Sequence, residues 1–257
     1  MSGTELLNTV SRYRWLAFLP LLLVGTTCSS PDPLESKWLK GDPNKPQTPQ
    51  LALGTEPTWD EQIEQVRAGT RSEIESDQAI EDSEFLQIVS ASGIEKLQLP
   101  KAHITDSALG ELPPNADLNW LMLGESPIGN RGAQHLSRFP KLRFVNLPAS
   151  RIGDAGLLAL SGIPHLELLR LGTDQVTSAG LLAICDCDHL RFLHLIGVNI
   201  DERPLLKLAQ IKSLESLYLD GIELPDSTIE KIFEVNPELH VHIDTLHHNS
   251  DPRRGHE

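Results

Sequence analysis

The sequence has only three cysteines, Cys28, Cys185 and Cys187, in 257 residues. That is too few for a disulfide framework, so any core must be held by packing. Positive charge is scarce as well: 22 Lys and Arg stand against 36 Asp and Glu, a formal charge of −14. This argues against nucleic acid or an anionic lipid surface as the main partner, since both need clustered cations. Aromatic residues make up 5% of the chain, which leaves leucine and isoleucine as the chief apolar material. No G-x-S-x-G elbow, P-loop, G-x-G-x-x-G turn, H-E-x-x-H helix or EF-hand loop is present, so neither an enzyme nor a cofactor is expected. Long apolar runs are missing too. The run from Trp15 to Val24 contains Pro20 and stops at Gly25-Thr26-Thr27, short of the roughly 18 to 20 residues that span a bilayer.

That run follows Arg12 and Arg14 and precedes small residues and Cys28, the order of charge, apolar core and small residues found in an export signal over residues 1–27. Small residues directly before a cysteine resemble a bacterial lipoprotein signal. Gly25 departs from that pattern, which usually has an aliphatic residue there. The resemblance implies that Cys28 is lipidated, becomes the new N-terminus and anchors the protein to a membrane of the cell envelope. A secreted or periplasmic form after simple cleavage is the alternative, and an uncleaved anchor is a third. Residues 28–57 carry Pro31, Pro33, Pro43, Pro46, Pro49 and Pro57 among polar residues. Such a segment cannot bury enough apolar surface to fold and reads as a tether.

Downstream, Leu118, Leu142, Leu166, Leu190 and Leu214 recur every 24 residues, each opening the same frame. Counting that leucine as position 1, positions 4 and 6 are aliphatic from Leu121 and Leu123 to Leu217 and Leu219, and one period earlier at Leu97 and Leu99. This alternation predicts a strand with one face inward. Aliphatics at positions 16 and 19 predict a helix sharing its core. Position 13 holds Asp106, Asn130, Asp154, Ser178, Glu202 and Asp226, which read as helix N-caps rather than as a metal-binding ladder. A single repeat has too little apolar surface to stand alone, so the repeats must stack between capped ends.

The frame from Ile94 to Ile243 resembles the leucine-rich repeat family, and Ile128-Gly129-Asn130-Arg131-Gly132-Ala133 looks like its 24-residue GALA-type and bacterial branch. The resemblance implies an α/β fold: a right-handed solenoid, horseshoe or arc, with a parallel sheet on the concave face and short helices on the convex face. Position 9 departs from the family, reading Ala102, Ser126, Ser150, Asp174, Val198 and Ile222 where Asn is common. No continuous asparagine ladder is therefore expected, and the turn is left to backbone and water. Residues 58–93 read as an N-terminal cap. Thr58-Trp59-Asp60-Glu61 resembles a capping box opening a short helix with Trp59, Ile63 and Val66 on one side. After it comes a degenerate half-repeat with polar strand positions Thr70, Glu73 and Glu75. The repeats occupy 94–243, and the polar, His-rich residues 244–257 read as a tail.

The outward strand positions carry the functional expectation. Position 3 aligns Trp120, Phe144, Leu168 and Phe192, and position 5 aligns Met122, Asn146, Arg170, His194 and Tyr218. At a strand spacing of about 4.8 Å the apolar column would be roughly 14 Å long. A water-facing strip with a polar rim is the composition expected of a site for a protein or peptide. His240 and His242 would project to that face and could share a metal, but two ligands do not make a site, so no metal is expected. Cys187, at an otherwise apolar position, reads as core, and its spacing from Cys185 disfavours a disulfide. Two rival functions remain. One is an intracellular adaptor, because the GALA-type branch also resembles repeats in ubiquitin-ligase subunits, although no F-box-like segment precedes the repeats here. The other is a metal-dependent binder using the His-rich end.

Overall fold

The computed structural model describes residues 56–114, 117–244 and 246–247. The leader, Cys28, the tether up to residue 55 and the tail beyond His247 lie outside the described residues. Helix α1 (Trp59–Arg67) is followed by β1 (Glu73–Glu75), β2 (Ile80–Glu81), α2 (Asp82–Phe85) and a 3-10 turn (Leu86–Ile88). Next come β3 (Lys96–Leu99), β4 (Ala102–His103) and α3 (Asp106–Gly110). From there each repeat is one strand and one helix: β5 (Trp120–Leu123) and α4 (Asn130–Leu136), β6 (Phe144–Leu147) and α5 (Asp154–Ser161), β7 (Leu168–Gly172) and α6 (Ser178–Leu181). The last pairs are β8 (Phe192–Ile196) with α7 (Glu202–Leu208) and β9 (Ser216–Asp220) with α8 (Asp226–Val235), before β10 (His240–Ile243) and β11 (Leu246–His247). The main sheet runs β1-β3-β5-β6-β7-β8-β9-β10-β11, parallel except for the final antiparallel pair. The architecture is an α/β solenoid.

Register follows the repeat: Leu97 pairs with Leu121, Leu121 with Val145, Leu169 with Leu193 and Leu193 with Leu217. Side chains at positions 4 and 6 are fully buried, and helix residues Leu109, Leu157, Leu181 and Leu205 close over them in one continuous core. Because successive strand residues point to opposite faces, this register commits positions 3 and 5 to the outer face of the sheet.

The helix starts differ from the sequence reading. Position 13 is already the first helical residue. The cap is position 12, where Thr105, Gly129, Gly153, Thr177 and Asp201 have the extended backbone that capping requires. The position-13 side chain reaches instead into the next repeat. Asp106 Oδ1 accepts from the N–H of Gly129 at 2.8 Å, and Asn130 Oδ1 accepts from Gly153 and Gly156 at 2.8 and 2.9 Å. Asp154 accepts from both the N–H and the hydroxyl of Thr177, and Asp82 does the same for Thr105. These side chains thus tie the start of the next repeat's helix to their own repeat, Asn130 by capping a first-turn N–H and the aspartates by holding the N-cap residue.

At the turns the backbone supplies bonds as expected, with the N–H of Ser150 donating to Gly172 O at 2.9 Å, and at two position-9 residues a hydroxyl adds to them. Ser126 Oγ donates to Ala102 O at 2.6 Å and accepts from the N–H of Ile104 at 3.0 Å, while Ser150 Oγ donates to Gly172 O at 2.9 Å. Next door, Thr173 Oγ1 donates to Ile152 O at 2.7 Å.

The N-terminal end carries a further difference. Ile74, not Glu73, pairs with Leu97, one residue out of the repeat's frame. The shift buries Ile74 completely and turns both flanking glutamates outward. Helix α1 begins with a capping box between Thr58 and Glu61 and buries Ile63 and Val66. Its Gln62 then closes the outer edge of β1: the side-chain amide donates to Glu75 O at 2.8 Å and accepts from the N–H of Glu75 at 2.9 Å. One glutamine imitates a neighbouring strand, which protects an otherwise open sheet edge. At the far end Asp244, with φ +48°, turns the chain so that β11 covers β10.

Candidate functional site: the outer face of the parallel sheet

The strands place the expected columns as neighbours. Trp120, Phe144, Leu168 and Phe192 are successive pairing partners, continued by Ser216 and His240. Beside them run Met122, Asn146, Arg170, His194, Tyr218 and His242. None of the first four belongs to the inner core cluster.

The apolar column is nonetheless not the water-facing strip expected from the sequence. Phe144 and Leu168 are each 6% exposed and Phe192 4%, while Trp120 and Met122 are half-buried. Crowding at the strand spacing contributes to this. The Trp120 and Phe144 rings lie 4.8 Å apart, and the guanidinium groups of Arg143 and Arg191 sit 5.1 Å over the Phe144 and Phe192 rings. Such cation–π contacts use the arginine stems as apolar cover.

Those arginines belong to a row that the sequence reading missed. Position 2 alternates in sign along Arg143, Glu167, Arg191 and Glu215. Arg143 meets Glu167 at 2.7 Å, Arg191 approaches Glu167 at 4.0 Å, and Arg191 donates twice to Glu215 at 2.7 and 2.9 Å. The Glu215 bonds hold the Arg191 guanidinium above its usual range. Exposed pairs of this kind add little stability, but they fix the arginines over the rings. The available signal was the sign alternation at the repeat period.

The second column is polar and linked. Arg170 Nε–H donates to His194 Nδ1 at 3.2 Å, and His194 Nε2 lies 2.7 Å from Asp220 Oδ2. Because a guanidinium can only donate, His194 Nδ1 accepts and Nε2–H donates to Asp220. Asp220, at position 7, was not anticipated. Beyond it Tyr218 and His242 stack at 4.3 Å. Asn146 is 7% exposed, and its Oδ1 is buried with no hydrogen-bond partner among the described residues.

Other candidates are chemically quiet. Cys187 is buried with Sγ 3.6 Å from Ser161 O, and burial pushes its thiol up to about 11, far from a nucleophilic thiolate. Cys185 and Cys187 are both free thiols. Among the described residues no group of three or more His, Cys, Asp or Glu is placed to hold a metal ion. On the helical side Leu158 is 63% and Leu182 42% exposed. They occupy the same position in adjacent repeats, an apolar pair that the sequence reading did not single out.

No protein-family model matches the chain, and no curated protein matches it. Among solved structures it is similar to an internalin of Listeria monocytogenes at 22% identity and TM-score 0.46, covering 72% of this chain and 49% of that one. It is also similar to internalin C2 of the same organism at 18% identity and TM-score 0.49, covering 72% and 77%. A third is the ectodomain of the Arabidopsis receptor kinase HAESA in complex with a peptide hormone, at 16% identity and TM-score 0.42, covering 65% and 28%. The chain thus spans about half of the first internalin and less than a third of the plant ectodomain.

Proposed function

We propose that this chain is a non-catalytic leucine-rich repeat protein, exported and held at the cell envelope by lipid on Cys28, that binds a protein or peptide on the outer face of its parallel sheet. The observation that carries the binding reading is the pair of aligned columns, aromatic and aliphatic beside polar, on consecutive strands in unbroken register. Aromatic and arginine side chains gathered on a rigid surface are what interface centres are made of. Export and anchoring rest on the order of residues 1–28.

A second reading has its own observation, the exposed Leu158 and Leu182 on the helical side. The two separate cleanly. A photo-crosslinking amino acid replacing Met122 on the sheet, and in a second variant Leu158 on the helices, should capture a partner protein in the producing cell from position 122 alone. Crosslinks from 158 and none from 122 would move the binding face to the helices.

A further inference from the structure

We infer that the helical side of the solenoid faces an anionic phospholipid surface: Leu158 and Leu182 enter the lipid layer, and Arg131, Arg138, Arg203 and Lys207 meet its phosphates. Leu158 is 63% exposed, more than any other large apolar side chain among the described residues, and Leu182 in the next repeat is 42% exposed. Around them stand small uncharged residues, Ala155 and Ala159 on α5, Ala179 on α6 and Ala183 in the turn that follows. The repeats on either side are cationic at the same outward positions, with Arg131 and Arg138 in the α4 repeat and Arg203 and Lys207 on α7. Positions 14, 17, 18 and 21 of these four repeats carry one acid, Asp186.

These cations differ from those beside the sheet. Arg143 and Arg191 are paired with glutamates, whereas none of the four meets a carboxylate among the described residues. Arg138 lies 3.3 Å from His135 and Lys207 3.4 Å from Gln210. Projecting leucines rimmed by long cationic side chains, whose stems can lie along hydrocarbon while their heads reach phosphate, form the pattern of an interfacial contact. The formal charge of −14 does not oppose it. Screening confines charge interactions to about 8 Å at physiological salt, and Glu111, Glu230 and Glu234 stand at the ends of the row, beside α3 and on α8. Size argues against a protein as occupant: a stable pair buries about 800 Å² a side, and two leucines among four alanines are a small apolar centre for that. For a chain anchored through Cys28, as proposed above, a weak lipid contact suffices, because the anchor supplies the local concentration. The contact orients the anchored molecule and turns the outer face of the sheet away from the membrane, toward its own partner.

The test places the photo-crosslinking residue at position 158 of the full chain in the producing cell, and at Val235, which is 39% exposed on α8 outside the patch. Position 158 should gain a phospholipid adduct visible by mass, and positions 122 and 235 should not. A protein adduct at 158, a second copy of the chain included, or lipid at 158 and 235 alike, would overturn the inference and leave the Cys28 anchor standing. The exported form of Cys28→Ala then reads the patch without the anchor. At low ionic strength it should float weakly with phosphatidylcholine vesicles that contain phosphatidylglycerol, not with phosphatidylcholine alone, and come off as salt is raised. Leu158→Ser/Leu182→Ser should weaken this about ten-fold. Arg203→Gln/Lys207→Gln should weaken it about ten-fold with a shallower salt dependence. Both pairs lie at the surface, so thermal melts should change little, and Trp120→Ala on the sheet should bind vesicles as its parent does. Vesicle binding that ignores both double variants, or no binding at all, would overturn the inference.

Discussion

Asn130 Oδ1 accepts the N–H of Gly156 at 2.9 Å, and a Cβ built on that glycine would stand 2.6 Å from the same oxygen. The glycine makes the space that its neighbour's side chain fills. The pattern repeats: a Cβ on Gly132 would stand 2.5 Å from Asp106 Oδ1, and one on Gly180 would fall on the Asp154 carboxylate. The Asn-x-Gly and Asp-x-Gly motifs of the repeats are therefore two halves of different contacts. The polar residue serves the helix ahead, and the glycine admits the polar residue from behind.

Gly156→Ala should accordingly destabilise the protein by about 1–3 kcal/mol through overpacking, despite alanine's better helix propensity. Asn130→Ala should cost about 1 kcal/mol as a lost cap, and Asn130→Asp, which keeps the acceptor, much less. Because one contact is being removed twice, the double variant Asn130→Ala/Gly156→Ala should cost less than the sum. Urea midpoints of the four proteins check this. A fully additive result would mean that the two residues do not interact.

The N-terminal cap depends on Gln62, which is buried and bonds both main-chain groups of Glu75. Gln62→Leu keeps volume but leaves a buried N–H and C=O unpaired, a cost of about 1–3 kcal/mol. Since a solenoid can open from its end, the loss should be local. Hydrogen exchange at Glu75 and across α1 should accelerate while amides in β6 and β7 stay protected.

The solenoid was legible because its period is written in residues whose only role is burial: Leu121, Val145 and Leu169 declare strand phase by themselves. The cap strand was misphased because Glu73 and Glu75 occupy the expected slots, and only pairing with β3 shows Ile74 turned inward. The columns on the outer face could be aligned from sequence, but not their cover or their linkage. Burial of Phe144 and the Asp220–His194–Arg170 relay depend on rotamers and on contacts across several strands, which periodicity does not encode.

His103 on β4 ties the half-repeat to the repeats, with Nδ1 2.9 Å from Glu81 and Nε2 3.0 Å from Glu125. The hydrogen bonds to Glu81 and then Glu125 raise its pKa above the ordinary 6.5. A raised value means that the protonated form is favoured by folding. The contribution is complete below about 6.5, and fades as pH rises through the folded value. The group is well exposed, so the effect should be small. Amide exchange near Ala102 should quicken as pH climbs through that window, after correction for intrinsic rates, and His103→Gln should abolish the extra step.

Cys28→Ala tests the address. Stable anchoring takes two or more acyl chains, which a lipidated Cys28 would carry. The variant should leave the membrane fraction for a soluble exported pool, and the wild-type mass should show the acyl increment on Cys28. If the variant still sediments with membranes, the Trp15–Val24 run is the anchor instead.

Strand phase itself can be tested at two residues of β6. Leu147 is fully buried in the inner core, so Leu147→Asp loses its packing and places a carboxylate where no partner can reach it. Removing the leucine side chain alone costs about 2–5 kcal/mol, and the buried charge adds to that, enough to unfold the repeats around it. Phe144 is also buried, but on the other face, against Trp120 and under the guanidinium of Arg143. Phe144→Asp loses the ring contacts yet gains a neighbouring cation, and its expected cost is about 1–3 kcal/mol. Thermal melts should therefore show a folded Phe144→Asp with a lowered midpoint beside a Leu147→Asp with little cooperative transition. Equal damage from both would mean that the outer face is as integral to the fold as the inner one, and that the columns are core rather than a surface able to receive a partner.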